Sequence, residues 1–191
     1  TMTENKPYQD AIELLKKLVA TPSFSTAEEN TAAVIETFFQ SKDIPFNRHL
    51  NNIWCKNKYF DAARPTLLLN SHHDTVKPNT QYSIDPFSPV QKDEKLFGLG
   101  SNDAGGCLVC LITAFCHFYE IQDLKYNVII AATAEEEISG KNGIESILSL
   151  LPKIDVAIVG EPTLTNLAIA EKGLLVLDCI STGKAGHAAR E

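Results

Sequence analysis

The sequence predicts an α/β fold, a largely parallel sheet covered by helices on both faces. Three observations predict it. Short apolar runs, TLLLN (66–70), VIIAATA (128–134) and VAIVG (156–160), alternate with segments of helical spacing. The runs are continuously apolar rather than alternating, the pattern of strands buried on both faces. A chain of 191 residues with 44% hydrophobic content can also bury a sizeable core.

The elements follow in order. Residues 8–20 carry Ile12, Leu15, Leu18 and Val19 at helical spacing. Ser25 and Glu28 form an S-x-x-E capping box that opens a second helix, with Val34, Ile35, Phe38 and Phe39 on its buried face. IWCKN (53–57) and TLLLN read as strands. After the loop GLGSNDAGG, a third helix turns Leu108, Leu111, Ile112 and Phe115 inward. VIIAATA is a strand, followed by a helix with Ile144, Ile147, Leu148 and Leu151 inward, and VAIVG is a further strand. LAIAEKGLLVLDCIST reads as two strand-like runs joined at Lys172–Gly173. GKAGHAARE then ends without a closing helix or strand, which predicts a fragment of a longer protein.

Composition narrows the function. The net charge is −7 with no basic block or basic–aromatic stripe, which excludes the usual nucleic-acid binders. No apolar run approaches the ~20 residues of a membrane span, and the N-terminus lacks a signal-peptide pattern, so a cytoplasmic location is expected. Five cysteines, an odd number, predict reduced thiols. Cys107 and Cys110 form a lone CxxC open to a metal or redox role, but their apolar helical context favours small core-facing side chains. His117 and His49 read as surface residues.

Chemistry gathers at the strand ends. TLLLN is followed by Ser71-His72-His73-Asp74, VIIAATA by Glu135-Glu136-Glu137, VAIVG by Glu161-Pro162, and the loop before the third helix holds Asp103. In open α/β sheets, ligands bind beyond the carboxyl ends of strands. No lysine or arginine lies among these residues. Carboxylates converging there would repel by several kcal/mol unless cations sat between them. An imidazole with carboxylates and no thiolate suits Zn²⁺ or a similar dication. Two dications balance three carboxylates and a bridging hydroxide, so two ions are expected rather than one. His72 and Asp74, two residues apart in an extended segment, share one side, so Asp74 can accept the second ring N–H of His72 and fix its tautomer. His73 then faces the other way, as packing or support. Asp103 precedes Gly105-Gly106, where the third helix begins and its N–H groups favour a carboxylate. A phosphate-cradling loop is the rival reading of the same glycines, although the spacing is not G-x-G-x-x-G and Asp103 would repel phosphate.

LLLNSHHDTV, FGLGSNDAGG, ATAEEEISGKNG, VGEPT and the paired KG and GKAGHAA occur in the order found in one known family. On them the chain resembles the dinuclear zinc amidohydrolases and exopeptidases that include acetylornithine deacetylase, succinyl-diaminopimelate desuccinylase and aminoacylase. HHDTVKP and GLGSNDAGG look most like the acetylornithine deacetylase branch. The resemblance implies a mixed, mostly parallel sheet sandwiched by helices, as in zinc exopeptidases. It places a catalytic metal-binding domain at 1–171 and the beginning of a small α+β dimerisation (lid) domain at 172–191. His72, Asp103, Glu137 and Glu161 are the implied ligands of two Zn²⁺, for which Co²⁺ can substitute, with Asp103 bridging. Asp74 orients His72, Glu136 is the general base and His187 stabilises the oxyanion across a homodimer. The register that assigns these roles to Glu135 and Glu136 stays open. A cis peptide is implied at Asp103–Ala104, and the histidine that completes the second metal in relatives has no counterpart here.

The expected activity is removal of an N-acyl group from an amino acid, acetylornithine-like and belonging to arginine biosynthesis. The attack comes from a metal-bridging hydroxide. A desuccinylase or a metallo-exopeptidase is the enzymatic alternative. A non-catalytic metal-binding or dimerisation fragment is the alternative of another class. The implied partner is a small N-acyl-amino acid, with neither nucleic acid nor membrane involved.

Overall fold

In a computed structural model of the chain, residues 6–170, 172, 173, 175, 177 and 179–183 are described. The elements are α1 (Lys6–Val19), α2 (Glu29–Gln40), β1 (Asn47–His49), β2 (Asn52–Lys56), β3 (Thr66–His72), β4 (Val90–Lys92), β5 (Lys95–Phe97), α3 (Cys107–Phe118), β6 (Asn127–Thr133), α4 (Ile144–Leu148) and β7 (Val156–Val159). A π-type turn at Ser101–Gly106 leads into α3, and a 3-10 turn at Glu136–Ile138 follows β6.

The main sheet is mixed, in the order β1-β2-β6-β3-β7, with a separate β4–β5 hairpin. β3 pairs parallel with both β6 and β7, while β2 pairs antiparallel with β6 and β1. Both faces of β6 are buried, as its apolar run requires. Val128, Ile130 and Ala132 join the core under α1, α2 and α3, whereas Ile129 and Ala131 join Trp54, Leu68, Ile147 and Leu151 beneath α4. The period-two alternation of a strand thus feeds two hydrophobic layers from one segment.

This connectivity positions the site. The chain leaves β3 through α3 on one face to reach β6, then crosses through α4 on the other face to reach β7. β3 is therefore the strand at which the winding reverses, and a crevice opens beyond its carboxyl end.

Several expectations need correction. Ser25 and Glu28 do not cap α2: Glu28 stands in the cap position without a side-chain cap bond, and Ser25 Oγ donates to Asp74 Oδ2 at 2.8 Å instead. A buried acceptor elsewhere outcompetes a helix end that water can satisfy. Leu148 is 53% exposed because α4 is only five residues long and turns Ile147 inward. Cys110 is exposed and Cys107 half-buried, since the buried stripe of α3 runs through Leu108, Val109, Ile112 and Phe115. All five cysteines are free thiols. The described residues of LAIAEKGLLVLDCIST form no strand and are exposed, because a strand needs a partner and none pairs with them among the described residues. β7, at the sheet edge, is likewise exposed. His49 and His117 lie at the surface as expected.

Two predictions follow from this packing. Ile147→Ala should cost about 2–5 kcal/mol and Leu148→Ala under about 0.5 kcal/mol, read from urea midpoints at unchanged slope. Lys42 Nζ lies 2.7 Å from Asp10 Oδ2, and this hydrogen bond, aided by Lys6 and opposed by partial burial, holds the Asp10 carboxyl below its ordinary value of 3.8. Lys42 favours the charged form, so the contact's stabilisation is complete above that ordinary value and is lost as pH falls through the depressed folded one. Asp10→Asn should therefore lose stability against wild type at pH 6, by at most about 1 kcal/mol, and the gap should close towards pH 2.

Candidate metal centre

β3 carries His72 to the reversal point of the sheet, where the imidazole is almost wholly buried. Its Nδ1 lies 3.0 Å from the Asp74 carbonyl oxygen and 3.3 Å from Asp74 Oδ1, both acceptors, so the ring proton sits on Nδ1. Nε2 is the nitrogen left facing the neighbouring acids. Around Nε2 stand Asp103 Oδ1 at 3.2 Å, Glu136 Oε2 at 3.7 Å and Glu161 Oε1 at 3.8 Å.

The acids arrive from three different segments. Asp103 comes from the π-type turn before α3, where the Asp103–Ala104 peptide is cis. Glu136 and Glu137 come from the turn after β6, and Glu161 follows β7. Two sets of donor atoms lie within 4.8 Å of one another: His72, Asp103 and Glu137, and His72, Glu136 and Glu161.

Electrostatics show the crowding. Burial raises the carboxyl pKa of Glu161, and Glu136, Asp103 and Glu137 raise it further against the pull of His72. Burial and Asp103 likewise raise that of Glu137. Burial opposes charge on His72, yet Asp74, Glu161 and Glu136 outweigh it and push the imidazole up to about 9. These acids therefore call for positive charge at Nε2. A proton can supply it, and so can a metal cation. Two ligands about 2.1 Å from one tetrahedral ion lie about 3.4 Å apart, close to the separations at Nε2. The donor set and its spacing fit a dication.

His73 faces the opposite side, as alternation along the chain requires. Its Nε2 is 2.9 Å from the Asn51 carbonyl and its Nδ1 is 2.9 Å from Thr31 Oγ1, so Nε2 carries the proton and the threonine hydroxyl donates to Nδ1. Burial drives its pKa down to about 4, so it stays neutral.

Glu135 does not join the cluster. It is buried in a left-handed conformation, and its carboxylate accepts the Asn142 backbone N–H at 3.2 Å and side-chain amide at 2.9 Å. Asp74 is buried too; that burial opposes its charge, but His72, Ser25 and the Glu136 N–H hold its carboxyl below the ordinary range. His187 lies outside the described residues. Sequence reasoning missed Ser25, Glu28, Asn51 and Asn142, which support the site. Glu28 had a signal, an S-x-x-E pair, but it pointed to a helix cap. Beside the cluster an open cleft of about 380 Å³ is lined by Thr75, Val76, Tyr82, Asn102, Asp103 and Glu137, among others.

Comparison with known proteins identifies relatives of the chain. Acetylornithine deacetylase of Salmonella paratyphi B is 31% identical over 192 residues, covering 93% of this chain and 49% of the relative. The same figures hold for the enzyme of Salmonella newport. The chain thus spans about half the length of the curated relatives it matches. Among solved structures, an M20 family metallo-carboxypeptidase from Sulfolobus solfataricus matches with a TM-score of 0.64 at 24% identity, over 82% of this chain and 37% of that one. Human carnosine dipeptidase 1 matches with a TM-score of 0.62 at 20% identity, over 84% and 39%. A dinuclear metal binding peptidase of the M20 family from Bacillus subtilis matches with a TM-score of 0.61 at 15% identity, over 82% and 43%. These likenesses share the fold. The family model of peptidase family M20/M25/M40 matches residues 68–173, more than half of the chain, and the chain belongs to that family.

Proposed function

We propose that the chain carries the metal-binding part of an amidohydrolase that removes the acyl group from an N-acyl-amino acid, with an acetylornithine-like substrate. The observation that carries the reading is the convergence of Asp103, Glu136 and Glu161 on Nε2 of one buried histidine, the ring nitrogen turned away from Asp74. His72, Asp103 and Glu161 would hold one zinc-type dication, and Asp103 and Glu137 would hold the second. Such ions would supply Lewis-acid polarisation of the amide carbonyl and a water acidified to a pKa of about 7.

The chain's own groups do the rest. Asp74 keeps the proton of His72 on Nδ1, so that Nε2 can ligate. Glu136 accepts the proton of the attacking water and delivers it to the leaving amine. Its half-exposed carboxylate suits a group that meets solvent and substrate. Glu135 is engaged with Asn142, which supports the register with Glu136 as base and Glu137 as ligand. The adjoining cleft receives the acyl group. No lysine or arginine lines it among the described residues, so a succinyl carboxylate finds no counter-charge there and a small uncharged acyl group is accommodated. His187 of a partner subunit completes the oxyanion site in a homodimer joined through the region from residue 172 onward. The 31% identity to acetylornithine deacetylases supports the substrate class and a place in arginine biosynthesis. No helix among the described residues is long and apolar enough to cross a membrane. A cytoplasmic location is part of the same proposal.

Zinc at about a hundred times its dissociation constant should stabilise the chain by about 2.7 kcal/mol in thermal unfolding, and a chelator should reverse this. A melting temperature indifferent to zinc would remove the metal from the reading. In the full-length protein, N-acetylornithine should be hydrolysed faster than succinylated amino acids and dipeptides. Glu136→Gln should lower kcat by at least about 100-fold with metal content unchanged, and Glu135→Gln should lower it far less. The opposite ranking would move the general base to Glu135.

A further inference from the structure

Beyond Thr133, the last residue of β6, four consecutive backbone N–H groups have no strand to bond. Each is taken by a side chain from another part of the chain. Ala134 donates to Asn52 Oδ1 at 3.0 Å and Glu135 to Glu28 Oε1 at 3.2 Å. Glu136 and Glu137 donate to the two oxygens of Asp74, at 3.1 and 3.2 Å. The N–H side of the turn that aims Glu136 and Glu137 is therefore held by three buried side chains, while the Ser139 and Gly140 N–H groups close the turn on the Glu136 and Glu135 carbonyls.

Asp74 also touches His72, and Asn52 mainly ties β2 to the start of α4. Glu28 is different. It lies 107 residues away in sequence from the N–H it accepts, is wholly buried, and takes no part in the metal cluster. Its Oε1 also accepts the Thr26 N–H at 2.8 Å, and its Oε2 accepts the Asn51 amide at 2.9 Å. That same Asn51 offers its carbonyl oxygen to His73. The carboxylate thus clamps three segments together: the entry to α2, the β1–β2 turn and the Glu-rich turn.

The grip falls where the backbone changes direction. Glu135 has φ +56°, a left-handed conformation that a non-glycine residue adopts only under local constraint. Its φ is the first rotation after Ala134, so the direction of the next two side chains depends on how firmly its N–H is held. Asp74 then fixes the following two amides. Loss of either anchor would let Glu136 and Glu137 swing relative to His72 and Asp103.

We propose that Glu28 is a positioning residue for the reaction, acting through the Glu135 backbone to hold Glu136 and Glu137 on the metal cluster. The inference rests on the amidohydrolase reading above. Outer residues that orient metal ligands typically matter by about 10- to 100-fold in affinity or activity. Glu28→Ala in the full-length protein should lower kcat about 10- to 100-fold with KM within about 2-fold, and weaken binding of the second zinc equivalent by a similar factor. Glu28→Gln retains a carbonyl oxygen for both N–H groups and should recover kcat to within about 5-fold of wild type. Amide exchange at Glu135 should quicken in the alanine variant and be restored in the glutamine variant.

A folded Glu28→Ala protein with wild-type kcat and zinc affinity would overturn the assignment. If the alanine variant does not fold, the glutamine variant decides: unchanged Glu135 exchange with near wild-type kcat supports positioning, and a fall in kcat beyond 10-fold with that exchange unchanged refutes it. A wild-type protein that neither binds zinc nor hydrolyses acyl-amino acids would instead sink the underlying functional reading.

Discussion

Like charges brought together at the mouth of a sheet are the constraint on which this structure turns. Asp103, Glu136, Glu137 and Glu161 come from three places in the sequence and meet around one buried imidazole. Nothing about their mutual repulsion favours that meeting. It is sustained by the packing of the sheet and helices beneath, and positive charge at its centre relieves it. The raised carboxyl pKa values of Glu137 and Glu161 and the raised value of His72 are one effect seen from both sides. Burial and neighbouring acids disfavour further negative charge, and the same acids favour a cation.

Topology supplies the meeting place. β3 lies between β6 and β7, and the crossovers from β3 to β6 and from β6 to β7 lie on opposite faces of the sheet. Three parallel strands therefore direct their carboxyl ends to one crevice, and α3 begins beside it. Two layers of packing under β6 fix its register against β3, which places Thr133 beside His72 and the glutamates just beyond. A one-residue slip would turn Ile129 and Ala131 to the wrong core and would carry the glutamates out of line.

Beneath this acidic cluster lies a hydrogen-bonded layer. His73, Thr31, Asn51, Asn52, Glu28 and Asn142 satisfy one another's polar groups and the backbone of the Glu-rich turn. Such networks are costly when incomplete, so they define the geometry sharply. The upper layer needs that definition, because its acids have no apolar packing of their own to aim them.

Much of this was legible in the residues. Continuous apolar runs marked β3 and β6, and the acidic or imidazole residues after each strand marked the crevice, because hydrophobic periodicity and strand polarity are local properties. The step from His72 to Asp74 could be read for the same reason. What local pattern could not decide was which acid goes where. Three glutamates in a row look alike in sequence, and only the left-handed turn at Glu135, with Asn142 drawing its carboxylate away, separates it from its neighbours. Ser25 and Glu28 read as a helix cap, and the fold employs both in contacts that span 49 and 107 residues. Leu148 and Cys110 lie at helical spacing from core residues, yet the shortness of α4 and the buried stripe of α3 through Leu108, Val109, Ile112 and Phe115 leave them exposed. Composition and local order determined the elements and the kind of chemistry. Tertiary structure decided the identity of each contact, because hydrogen bonds and charge pairs depend on which distant atoms are brought within about 3 Å.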